Sequence, residues 1–216
     1  MATDEWKSIE LLEGGIGDLK FVYKRFELEF AAKERKDYQQ LASLINGGNY
    51  KLFLARDQRL NHIVGYAFVY KINDPLALWL DYIAIDVAYQ NSGYGTLFFN
   101  KIVEYGSEIL GLFLEVEIPG KDDFGFVQQL RRIKFYERLG AKRLAIHYKC
   151  PTVDDGLPMY LYFRPSPGTW TLRKEQIQAA ITGVFNDVHS DRACRWKVLR
   201  SFYNTIQDVC FLEPFV

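Results

Sequence analysis

Residues 83 to 99 read IAIDVAYQNSGYGTLFF, and no other stretch constrains the fold as tightly. An apolar, strand-like run stops at a polar turn, and a helix-like pattern starts directly behind Gly93 and Gly95. Glycine weakens strand and helix alike. The turn therefore either demands backbone angles closed to other residues or lets something approach the main chain.

The flanks extend this strand-to-helix handover into a mixed α/β pattern. WKSIELLEG is a first strand candidate. From Asp18 to Asn46, Leu19, Val22, Tyr23, Phe26 and Phe30 recur at helical spacing, with a charged break at KERKD that splits two helices. YKLFLAR and HIVGYAFVYKI read as strands joined by a turn at 57–61, and ALWLDYIAID follows the Asn73-Asp74-Pro75 turn. Behind the glycines, Leu97, Phe98, Ile102, Tyr105 and Ile109 predict one buried helical stripe ended by Gly111. LFLEVEI is the next strand, KDDFGF a loop, and QQLRRIKFYERLG a basic helix with Gly140 past its end. KRLAIHYKC and LPMYLYFR predict two more strands. After Pro165-Ser166-Pro167-Gly168 come two amphipathic helices, one carrying Ile177, Ile181, Val184, Phe185 and Val188, the other Val198, Phe202, Ile206 and Val209. These apolar faces must bury against the rest of the chain or against a second copy in a homodimer.

With 27 basic and 27 acidic residues, the chain carries no net field that would favour nucleic acid or an anionic membrane as partner. The opening MATDEWKSIE lacks the apolar core of a secretory signal, and no apolar run reaches bilayer length. Cys150, Cys194 and Cys210 form no CxxC pair and read as reduced, small buried hydrophobes of a cytoplasmic protein. His62, His147 and His189 show no metal-ligand spacing, so no metal is expected.

A glycine turn at the start of a helix can place backbone N–H groups around an anion, with the helix dipole adding to the field. A tight connection without ligand would need the same residues. Two phosphate loops are ruled out in detail. Thr96 follows Gly95 with no lysine between them, against a Walker A loop, and no third glycine completes a dinucleotide GxGxxG.

What the turn resembles is Gln/Arg-x-x-Gly-x-Gly/Ala, here Gln90-Asn91-Ser92-Gly93-Tyr94-Gly95. That is the acyl-CoA signature of the GNAT superfamily of N-acyltransferases, with Gln where Arg is commoner. IKFYERLGAKRL, residues 133 to 144, resembles the superfamily's second signature, Phe-Tyr-x-x-x-Gly-Ala, and the two blocks occur in the family's order over about residues 5–165. The resemblance implies a mixed, mostly antiparallel central sheet with a splayed parallel strand pair and flanking helices. It would make residues 1–165 the acetyltransferase domain and residues 166–216 a C-terminal helical extension.

It further implies acetyl-CoA as cosubstrate and an amine as acceptor. Gln90, Asn91, Ser92, Gly93, Tyr94, Gly95 and Thr96 would hold the pyrophosphate, and the strand Ile83-Ala84-Ile85 would offer main chain to the pantetheine arm. Tyr136 falls where relatives keep a tyrosine near the CoA sulfur, as proton donor to the leaving thiolate. Asp81 lies where some relatives carry a Glu base. Glu115 and Glu117, which alternate on one strand face, are its rivals. Glu27, Glu34 and Asp37 could select a cationic amine.

Arg131, Arg132, Lys134, Arg138, Lys142 and Arg143 read as a solvated helix face, one or two of them reaching CoA phosphates. The leading expectation is an N-acetyltransferase acting on a primary amine, with a small molecule favoured over a protein amine. An acyl-CoA-binding sensor without turnover is the alternative.

Overall fold

The computed structural model of the chain describes residues 8–32, 35–106, 108–120, 125–152 and 155–211. These residues form two compact units. One comprises residues 1–71 and 80–105, the other residues 72–79 and 106–216.

In the first unit, β1 (Ile9–Gly14) pairs antiparallel with β2 (Tyr50–Asp57), and β2 with β3 (His62–Asn73). Two helices, α1 (Ile16–Glu29) and α2 (Tyr38–Asn46), separate β1 from β2 and bury Leu19, Val22, Phe26 and Leu41. Each start has a local cause. The Asp18 carboxylate accepts from Gly15 N–H at 2.9 Å, and that of Asp37 from Gln40 N–H at 2.8 Å. Residues 80–85 of β4 (Leu76–Ile85) continue this unit, followed by a 3₁₀ turn (Val87–Tyr89) and α3 (Tyr94–Tyr105). Gly65 is required here for close approach, because a Cβ would stand 2.7 Å from the Ala84 carbonyl oxygen.

In the second unit, β5 (Gly111–Glu117) pairs antiparallel with β8 (Gly156–Pro165), so that Leu114 faces Tyr162. Between them run α4 (Phe126–Arg138), β6 (Lys142–Arg143) and β7 (Lys149–Pro151), and both short strands pair with β8. The chain closes with β9 (Thr171–Leu172), α5 (Lys174–Asp187), α6 (Arg195–Phe202) and β10 (Val209–Cys210). The strand order is β1-β2-β3-β4-β5-β8-β6, antiparallel apart from the parallel β4–β5 pair. This is the mixed sheet with flanking helices that the sequence implied.

Four local expectations are corrected. The helix behind the glycines stops at Tyr105, because the chain turns at Gly106, where a Cβ would meet Ile109 Cδ1 at 2.2 Å. Ile109 thus lies outside the helix, and Gly111 opens β5 at φ 153° with Arg164 O where a Cβ would sit. KRLAIHYKC is two short strands joined by an irregular stretch, although Leu144, Ile146 and Tyr148 alternate inward. Val209 pairs with Leu172 in a two-stranded sheet instead of extending a helix. Cys210 is exposed, and Cys150 and Cys194 are half-buried.

The C-terminal helices bury their apolar faces within their own unit: Ile177, Ile181, Val184 and Phe185 of α5 are sealed, as are Val198 and Phe202 of α6. Tyr148 packs edge-on against both Phe185 and Phe202. No helix among the described residues is long and apolar enough to cross a membrane.

Candidate active site

The glycine turn is built by its own side chains. Asp86 accepts from Ala88 N–H at 3.2 Å, Gln90 Nε2 donates to the Ile85 carbonyl at 2.9 Å, and the Ser92 hydroxyl donates to the Tyr89 carbonyl. Asn91 and Gly93 adopt φ of 58° and 92°, the left-handed region that asparagine tolerates and glycine favours. Gly93 is therefore a backbone requirement. Gly95 is different: it is the second residue of α3, where helical angles suit any residue, so conformation alone does not explain it. Thr96 and Leu97 N–H both return to Gly93 O, at 3.1 and 3.2 Å, and start the helix. The result is a solvent-facing turn at the positive end of a helix dipole, behind the half-buried strand end Ile83-Ala84-Ile85.

Tyr94 is placed among these loop residues by the sequence, and the fold gives its side chain a separate task. It is buried, and its hydroxyl donates at 2.5 Å to Oδ2 of the equally buried Asp57 at the end of β2. Burial first, and then this bond, push the phenol up to about 12. The same bond, helped by Leu60 N–H, lowers the Asp57 carboxyl. The first residue of α3 is thereby anchored to the sheet.

Asp81, also in the first unit, is deeply enclosed. Lys36 Nζ lies 2.8 Å from Asp81 Oδ2, with both side chains only 5% exposed, and the Tyr50 hydroxyl donates to the same oxygen. Burial, then the Asp81 charge, push the Tyr50 phenol far up. Lys36 also stands 5.2 Å from the Tyr82 ring centre, a cation over an aromatic face.

In the second unit, Glu115 and Glu117 share the half-buried face of β5. Glu115 Oε1 accepts from the Tyr148 hydroxyl. Glu117 Oε1 takes Arg132 Nη1 of α4, while Glu117 Oε2 is buried without a hydrogen-bond partner among the described residues. Tyr136 is 6% exposed on α4, and burial pushes its phenol to about 12. The Arg132 charge works against that rise, and the Glu117 charge works with it. Phenol, carboxylate and arginine thus share one electrostatic neighbourhood.

The remaining candidates have smaller roles. Asp37 caps α2, and Glu27 sits 3.5 Å from Arg35 on a half-exposed face. Glu34 lies outside the described residues, as do residues 121–124 of the KDDFGF loop and Trp6 and Lys7 of the first strand candidate. Of the basic cluster, Arg132 binds Glu117 and Arg143 stacks over Tyr160 at 4.6 Å.

Sequence reasoning missed Lys36 and Tyr50 as partners of Asp81, and Asp57 as partner of Tyr94. Lys36 gave no signal, since it sits in a charged run that reads as solvated. Asp57 marked only a turn.

Comparison with known proteins agrees with this geometry. The model of the acetyltransferase (GNAT) family matches residues 19–141. No curated protein matches the chain at a significant level. Among solved structures, one described as an acetyltransferase of the GNAT family from Bacteroides thetaiotaomicron superposes with TM-score 0.68 at 23% identity, covering 83% of this chain and 98% of that one. A spermidine N-acetyltransferase chimera that includes Vibrio cholerae sequence gives TM-score 0.56 at 16% identity, covering 73% and 95%. Arabidopsis thaliana NAA60 in complex with acetyl-CoA gives 0.57 at 15%, covering 74% and 100%.

Proposed function

Because the chain belongs to the GNAT family of acetyltransferases and is an acyl-transferring enzyme, we propose that it moves an acetyl group from acetyl-CoA to a primary amine of a small molecule by direct attack. The observation that carries this reading is Gly95. It is the second residue of α3, where helical angles do not demand glycine, half-buried directly behind the exposed Gly93, where on this reading a pyrophosphate comes close to backbone. On this reading the residue 90–96 turn holds the pyrophosphate and Ile83-Ala84-Ile85 lines the pantetheine. The Tyr94–Asp57 bond fixes the turn before the ligand arrives.

The chemistry needs a neutral amine and a protonated leaving thiolate. The amine nitrogen bonds to the carbonyl carbon, the carbon–sulfur bond breaks, and the sulfur takes the proton of Tyr136. Burial pushes the Tyr136 phenol to about 12, so it keeps its proton throughout the neutral range and has one to give. We assign the base to Glu117, whose Oε2 has no partner, acting directly or through one water.

The two groups assist each other electrostatically. Burial is the main cause of the raised phenol, and the Glu117 charge adds to it, so uptake of the amine proton by Glu117 removes the lesser part of the rise. Glu115 and Asp81, each held by a tyrosine, and Asp81 also by Lys36, serve this reading as bracing groups.

Support for a small acceptor comes from the spermidine acetyltransferase among the structural neighbours. It also comes from the aromatic cluster of Phe26, Phe30 and Tyr82. The test is acetyl-CoA titration by calorimetry, followed by CoA release with a panel of polyamines, aromatic amines and peptides. Micromolar binding and release dependent on a small amine are expected. Binding without release would leave an acyl-CoA sensor, and absent binding would remove the function of the glycine turn.

A further inference from the structure

The second unit contains a cluster in which Cys150 and His189 have no part in the acyl-transfer reading, and Glu115 only a bracing one. Glu115 on β5, Cys150 on β7 and His189, just past the end of α5, each offer one ligand atom, and these atoms all lie within 4.8 Å of one another. They come from three elements far apart in sequence, and His189 is buried. We propose that Glu115, Cys150 and His189 form a binding site for a thiophilic divalent transition metal, Zn²⁺, that fastens the C-terminal helical extension to the sheet.

The donor set selects the metal class. One thiolate, one imidazole and one carboxylate is a mixed S/N/O set of the kind zinc accepts, whereas magnesium and calcium take oxygen alone. Around a tetrahedral zinc with bonds of about 2.0–2.3 Å, donors stand roughly 3.3–3.8 Å apart. The observed 4.8 Å bound therefore asks for a contraction of at most about 1–1.5 Å. Rotation about the Cys150 and Glu115 side-chain torsions can supply that on half-buried residues.

The surroundings preorganise the ligands. Tyr148 donates to Glu115 Oε1, which orients the carboxylate, and the Phe185 ring meets the His189 ring edge-on at 5.7 Å. Cys150 is fixed by the β7–β8 ladder opposite Leu157. Binding releases the thiol proton of Cys150 as the sulfur–zinc bond forms, and a water completes the fourth position. Because His189 follows α5 while the other two ligands sit on strands, occupancy would close the helical layer onto β5 and β7. This site does not depend on the reading of the acyl-transfer residues.

The test uses tag-free, full-length protein stripped with a chelator and titrated with Zn²⁺ against a chromophoric competitor. A parallel titration with Co²⁺ reports ligand type. One equivalent should bind, with a sulfur-to-cobalt charge-transfer band in the near ultraviolet and intense visible bands of a four-coordinate ion. Cys150→Ser should abolish the charge-transfer band and weaken Zn²⁺ at least about 10-fold, as should His189→Gln and Glu115→Gln. Zn²⁺ should raise the melting temperature of the native chain but not that of Cys150→Ser, a half-buried substitution whose folding is checked by circular dichroism. The proposal is overturned if the native chain binds no equivalent of Zn²⁺, if bound Co²⁺ shows no sulfur band, or if Cys150→Ser binds as the native chain does.

Discussion

Asp81 and Glu117 are two carboxylates, each beside a cation and a tyrosine, and the fold treats them in opposite ways. At Asp81, Lys36 and Tyr50 converge on one oxygen, and the ion pair is almost sealed from water. At Glu117, Arg132 takes one oxygen while the other is buried with no hydrogen-bond partner among the described residues. A carboxylate whose neighbours all hold it is a brace. One with a shielded, unused oxygen beside a protonated phenol is equipped to exchange a proton. On the reading proposed above, Asp81 braces the site and Glu117 exchanges the proton.

The sharpest way to break this contrast is to neutralise each carboxylate in turn. Asp81→Asn should cost about 3–5 kcal/mol of stability, because it strands the buried Lys36 charge, and denaturant unfolding would read that loss. Glu117→Gln should leave stability within about 1 kcal/mol, since its ion pair is partly exposed. Its kcat should fall about 100-fold or more. If the stable variant is Asp81→Asn and only its turnover collapses, the assignments are reversed.

Next in size, Tyr136→Phe should lower kcat by about one to three orders of magnitude with acetyl-CoA affinity kept. Equal turnover would return Tyr136 to packing. Tyr94→Phe should cost about 1.5–3 kcal/mol, as it removes a buried hydrogen bond to a charged group, and should raise the KM for acetyl-CoA.

The sign of the pH dependence of Tyr94 and Asp57 follows from their shifts. The folded phenol is raised from 10.0 to about 12, so its stabilisation is complete below pH 10 and lost as pH climbs toward 12. Asp57 is lowered from 3.8, so its share is present above that value and lost as pH falls below it. Tyr94→Phe should flatten both limbs of a stability–pH curve.

The smallest expected effect is a null. With its phenol at about 12, Tyr136 should produce no falling limb in kcat between pH 7 and 10.

Much of the fold was legible because its signals are local. The helical spacing of Leu19, Val22 and Phe26, the turn at Asn73-Asp74-Pro75 and the apolar runs of the strands each depend on a few neighbouring residues. Where that reading slipped, a distant contact had intervened. Ile109 continued the helical stripe on paper, but close packing at Gly106 turned the chain first. Val209 fitted a helix pattern, yet its ladder partner Leu172 lies far back in the sequence.

The site divides in the same way. The glycine turn and the Phe-Tyr block were visible because each is a short run of residues whose backbone demands and spacing are written consecutively. That Lys36 would sit against Asp81, that Tyr94 would reach Asp57, and that His189 would come beside Cys150 and Glu115 is written nowhere in any local stretch. Those pairings are made by strand register and helix packing across tens of residues. They decide which partners each carboxylate has. The sequence determined the loop and the order of the elements, and the tertiary structure alone decided the company each charge keeps.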